Sequence, residues 1–81
     1  MFTQNEVNDF LISAVSEIKS VPEKSITIKN HILYDLYMDS VDLIELLAMV
    51  EGKFKVFFDD DQLDGVDTLE SISALVIKYS V

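Results

Sequence analysis

Cysteine is absent from the 81 residues, which removes a disulfide framework, a thiolate metal site and a protein-borne thiol nucleophile together. Positive charge is scarce. Six basic residues, all lysine, face 15 Asp and Glu, so the formal net charge is −9. A chain this anionic repels a phosphate backbone, and nucleic acid is excluded as a partner. No apolar run approaches the roughly 20 residues of a membrane span. The opening Met1-Phe2-Thr3-Gln4-Asn5-Glu6 also lacks the basic and apolar regions of a signal peptide, so the expected location is the cytoplasm. With two Gly, one Pro and 49% hydrophobic residues, the composition is not that of a disordered chain. The length suits one small domain over residues 1–81 with one core. Packing alone must stabilise it, by about 4 to 12 kcal/mol on the usual per-residue scale.

Apolar residues at Val7, Phe10, Leu11, Ala14, Val15 and Ile18 follow the i, i+3, i+4 template of an amphipathic helix. Thr3 and Glu6 stand in capping-box relation, and Phe2 before the cap can staple onto Val7. These signals predict a helix over about 4–19. Pro22 then disfavours helical geometry at Val21 and opens a long loop. Ile26, Ile28, Ile32, Leu33 and Leu36 recur there without a period, so the loop pins itself to the core at intervals. A brief strand over 25–28 is the alternative.

Asp39 caps a second run with Val41, Ile44, Leu47 and Ala48 on one side and Leu43, Leu46 and Val50 widening the face. Asp42 adds negative charge to its first turn. This helix is expected over about 40–52, with Gly52 as terminator. Phe54, Val56 and Phe58 find no partner strand and read as a buried connection. Residues 60–64 allow one short helical turn closed by Gly65. Asp67 and Glu70 then cap a last helix over about 68–79, with Leu69, Ile72, Leu75, Val76 and Tyr79 inward. The fold class is therefore all-α, a small irregular four-helix bundle of three main helices and one short one.

The run Asp59-Asp60-Asp61-Gln62-Leu63-Asp64-Gly65 invites a calcium-loop reading. With Asp60 first, Gly65 falls at the sixth position, but Ser71 stands where the bidentate Glu belongs. The run reads as a solvated helix start. His31 is the sole imidazole, so a Ser/His/Asp hydrolase or a histidine metal site would depend on it alone. It sits in a polar stretch without a nucleophile elbow and reads as a surface loop residue. No catalytic residue and no metal site are expected.

Ser40 stands apart, placed at the first turn of a helix directly after its cap. It has no general base beside it in sequence, which makes it a poor nucleophile of its own. The surrounding Asp35-Leu36-Tyr37-Met38-Asp39-Ser40-Val41-Asp42-Leu43-Ile44-Glu45-Leu46 resembles the acyl carrier protein family. That family's signature is an acidic-Leu pair, then Gly-x-Asp-Ser-Leu opening a helix that continues Asp-x-x-Glu-Leu. The helix order along nearly the whole chain is similar to the family's as well.

The resemblance implies a non-enzymatic carrier. Ser40 would be the attachment point for 4′-phosphopantetheine, whose thiol holds acyl intermediates as thioesters. Asp39 would belong to the motif read by the phosphopantetheinyl transferase. Asp39, Asp42, Glu45 and Glu51 would dock onto basic patches of acyl transferases, ketosynthases and other acyl-processing enzymes of fatty acid, polyketide or related lipid biosynthesis. Leu47, Ala48, Phe54, Val56, Leu63, Val66, Leu69 and Leu75 would line the acyl cleft. A monomer is the default expectation, apart from the resemblance. Two positions depart from the signature: Tyr37 replaces Gly, bringing a bulky ring close to Ser40, and Val41 replaces Leu. The competing reading is an unmodified acidic helical interaction module of carrier-like fold.

Overall fold

The Glu6 amide donates to the Thr3 hydroxyl and the Thr3 amide to the Glu6 carboxylate, each at 3.1 Å. This reciprocal cap opens α1, Gln4–Lys19, in the computed structural model, which describes residues 2–80. Val7, Leu11, Ala14 and Val15 are buried along one stripe, as their spacing predicts. Phe2 packs edge-on against Phe54 with ring centroids 4.7 Å apart, and Phe10 does the same at 5.3 Å. One aromatic ring from a distant helix thus gathers both phenylalanines near the start of α1.

Beyond Pro22 the chain makes a short 3₁₀ turn over Glu23–Ser25, with no strand at 25–28. Backbone bonds to the start of the last helix do the work a strand would have done. The Glu70 amide donates to the Ile28 carbonyl at 2.8 Å, Leu69 to Asn30 at 3.2 Å, and Ile32 to Asp67 at 2.7 Å. His31 and Thr68 form an isolated antiparallel bridge among them. Ile26, Ile32 and Met38 are buried, so the loop is pinned to the core at intervals.

The second helix, α2, spans Ser40–Phe54 and runs through Gly52 to end at Lys55, whose φ is 56°. Burial of Phe54 among Phe2 and Phe10 outweighs the roughly 1 kcal/mol disadvantage of an interior Gly. Its inner face is rotated from the expected one. Leu46, Val50 and Phe54 are buried, whereas Val41 is 70% exposed, Ile44 67%, and Ala48 also faces solvent. Residues 41–50 are apolar nearly all round, so period alone offered two faces, and the row ending in the largest side chain packs inward.

Residues 55–59 form the buried connection that the alternation suggests, with Val56 and Phe58 inward. Next, α3 spans Asp60–Leu63, and Gly65 follows at φ 86°, a left-handed conformation that glycine adopts freely. The last helix, α4, spans Leu69–Tyr79 and is capped by Thr68 with Ser71 rather than by Asp67 with Glu70. The Ser71 amide donates to Thr68 Oγ1 at 3.2 Å, while Glu70 meets Lys29 Nζ at 2.9 Å. Leu69, Ile72 and Val76 are buried, but Tyr79 is 38% exposed. Ser73 is buried without breaking the core, because its hydroxyl accepts from Gln4 Nε2 at 2.6 Å and donates to Asn8 Oδ1 at 2.7 Å. The all-α bundle is held by α1, which packs against both α2 and α4.

Candidate functional site

Asp39 and Asp42 reproduce at α2 the cap seen at α1. The Asp42 amide donates to Asp39 Oδ1 at 2.8 Å, and the Asp39 amide to Asp42 Oδ2 at 3.3 Å. Lys19, in the last turn of α1, reaches the same place. Its ammonium donates to Asp42 Oδ2 at 2.9 Å and to the Tyr37 carbonyl at 3.1 Å. The lysine, followed by the Asp39 amide, holds the Asp42 carboxyl below the usual aspartate range.

Between these anchored groups Ser40 is exposed, and no described residue hydrogen-bonds its hydroxyl. The amides of Ser40 and Val41 likewise meet no carbonyl among the described residues. A helix start of this kind favours negative charge. The hydroxyl lacks an activating base. His31 is the only imidazole, and its Nδ1 already accepts from the Leu33 and Tyr34 amides, each at 3.1 Å. Asp39 is occupied in capping. Ser40 is therefore presented without being armed as a nucleophile.

Ser40 forms part of the rim of a cleft of about 330 Å³. Ile32, Leu33, Met38, Leu43 and Val66 supply its apolar walls, and His31, Asp39 and Asp67 its polar ones. Of the residues expected to line an acyl cleft, Val66 alone borders this space. Phe54, Val56 and Leu69 lie in the core, Leu47, Leu63 and Leu75 pack against it, and Ala48 faces solvent. Met38 was not singled out from the sequence and His31 read only as a surface loop residue, because both lie in an aperiodic loop. Only the pairing of residues 28–32 with 67–70 brings them here.

Tyr37 has φ 55°, in the left-handed region where the family signature has Gly. Its ring is 76% exposed and borders a second hollow of about 250 Å³ with Lys19, Val21 and Leu36, not the Ser40 cleft. Of the four expected docking carboxylates, Asp39 and Glu45 are exposed. Asp42 is bound to Lys19, and Glu51 accepts from the Phe58 amide at 3.0 Å. Among the described residues no group of His, Asp or Glu is arranged to hold a metal ion, the acidic run at α3 included. Among the described residues no helix is long and apolar enough to cross a membrane.

A family model described as "Phosphopantetheine attachment site" matches residues 9–76. An acyl carrier protein of Thermobifida fusca is 30% identical over 77 residues, covering 95% of this chain and 98% of its own. One from Thermotoga maritima is 31% identical over 78 residues, covering 96% of each. A meromycolate extension acyl carrier protein of Mycolicibacterium smegmatis is 26% identical over 76 residues, or 94% of this chain and 77% of its own.

Proposed function

The chain belongs to the acyl carrier protein family, and from that premise we propose that residues 1–81 act as one carrier domain whose Ser40 bears 4′-phosphopantetheine. The observation that carries this reading is the unpartnered, exposed Ser40 hydroxyl at the start of α2, on the rim of a largely apolar cleft. The residues fit the group. An attached phosphodiester meets the free amides of Ser40 and Val41 and the positive end of the helix dipole. The salt bridge to Lys19 offsets the nearest carboxylate, Asp42. Once attached, the group supplies the thiol that holds acyl cargo as a thioester. The protein's own part is to present, orient and shelter, and the family's members are carriers rather than catalysts.

Docking follows from the surface around Ser40. Val41 and Ile44 expose an apolar strip, with Asp39 and Glu45 beside it and Asp42 and Glu51 completing the acidic set. An apolar centre with a charged rim suits enzymes that carry basic patches. We assign that role to a phosphopantetheinyl transferase, acyl transferases, ketosynthases and other acyl-processing enzymes of fatty acid, polyketide or related lipid biosynthesis. The chain serves them as a cytoplasmic monomer.

The test is intact mass after incubation with coenzyme A and a broad-specificity phosphopantetheinyl transferase, with Ser40→Ala alongside. A gain of one phosphopantetheine in the parent and none in the variant is expected. No gain in the parent, even with the transferase of the same organism, turns the exposed Val41 and Ile44 into the binding face of an unmodified interaction module.

A further inference from the structure

The loop around His31 fixes its ring more firmly than an ordinary surface residue requires. The His31 amide donates to the Asp35 carboxylate at 2.6 Å, and its carbonyl accepts from the Asp35 and Leu36 amides at 3.0 and 3.1 Å. The imidazole stacks on Tyr34, with ring centroids 4.4 Å apart and planes at 29°. Two amides, from Leu33 and Tyr34, converge on Nδ1. A neutral imidazole whose Nδ1 accepts carries its proton on Nε2. No described residue accepts from that N–H, although the ring lines the Ser40 cleft.

The other polar side chains of the cleft, apart from Ser40 itself, are the carboxylates of Asp39 and Asp67, which only accept when ionised. A group entering the cleft with carbonyl or phosphate oxygens finds one pre-oriented side-chain donor, the His31 Nε2–H. We propose that His31 is a positioning residue that donates through Nε2 to an oxygen of the phosphopantetheine arm and holds the arm along the cleft. This inference rests on Ser40 being the attachment site. A ring already immobilised loses little further entropy on forming the bond, so the geometry is suited to holding a flexible arm.

The test uses the full chain labelled with ¹⁵N, loaded with phosphopantetheine and verified by mass. As the only histidine, His31 supplies a single imidazole spin system. On loading, its Nε2–H resonance is expected to move downfield and to exchange with water several-fold more slowly, with no change in Ser40→Ala treated identically. His31→Asn keeps an acceptor near the Nδ1 position and removes the Nε2 donor. His31→Gln restores a donor there. The arm's thiol in loaded His31→Asn should react a few-fold faster with a bulky disulfide reagent, and loaded His31→Gln should return towards the parent rate. The ³¹P resonance assigns the acceptor: it moves in His31→Asn for a phosphate oxygen and stays for a carbonyl. An unaltered Nε2–H in mass-verified loaded protein overturns the inference and leaves the carrier reading intact. No mass gain overturns both.

Discussion

The opening part of α2, residues 40–45, and the part from Leu46 onward are built from similar apolar residues and sit in opposite surroundings. The part from Leu46 onward buries Leu46, Val50 and Phe54, and its last ring is clasped edge-on by Phe2 and Phe10. Residues 40–45 include no buried side chain, expose Val41 and Ile44, and border the cleft through Leu43. The buried part anchors the helix through packing. The open part is held by a cap, one lysine and the loop that runs alongside it, so its surface is left for contact. The exposed Val41 and Ile44, framed by carboxylates, are the residues on which the proposed docking would draw.

The largest effect that separates the two parts is expected from truncation. Leu46→Ala removes a fully buried side chain and should cost about 2 to 5 kcal/mol. That is a large share of the roughly 4 to 12 kcal/mol a chain of this length has. Ile44→Ala should stay within about 0.5 kcal/mol. Urea unfolding of the two variants measures the difference, and equal losses would break the comparison.

The next effect, smaller and opposite in sign, concerns Tyr37, just ahead of the open part. A tyrosine at φ 55° carries roughly 1 to 2 kcal/mol of left-handed strain. Tyr37→Gly removes it and returns about 0.4 to 1 kcal/mol of entropy to the unfolded chain. The net gain expected is about 0 to 1.6 kcal/mol, read as a higher urea midpoint at unchanged slope. The bond from Lys19 survives, because it goes to the backbone carbonyl. Loss of stability instead would show that the ring's contacts beside Lys19 and Val21 outweigh the strain.

The bundle was legible in the sequence wherever one apolar stripe faced one polar side, as in α1, whose bounds and capping box both follow from residue spacing. Legibility failed at α2, where Val41, Leu43, Ile44, Leu46 and Leu47 left two faces of similar hydropathy. Tertiary packing against Phe2 and Phe10 decided between them. It failed again at the cleft, since residues 31–38 have no period and reach Val66 and Asp67 only through long-range backbone pairing. The places of Asp39 as cap and Ser40 as first residue of α2 were readable because a cap is local. The Asp42 bond to Lys19 joins residues 23 apart, a distance at which spacing carries no signal.

That bond provides the smallest of these effects and a way to compare the capped start of α2 with the capped start of α1. Folding lowers the Asp42 carboxyl, chiefly through Lys19, and the Glu6 carboxyl, chiefly through the Thr3 amide and hydroxyl. A carboxyl lowered by folding stabilises the fold above its unfolded value, near 3.9 for Asp and 4.3 for Glu. The contribution is lost as pH falls through that value and on through the lower folded one. Asp42→Asn and Glu6→Gln should therefore melt below the parent at pH 7, with both gaps closing from about pH 5 downward. Salt should tell the two caps apart. The Asp42 gap rests first on an ion pair and should shrink as ionic strength rises. The Glu6 gap rests first on neutral donors and should persist, so equal shrinkage would mean that the lysine is not what holds the open end of α2.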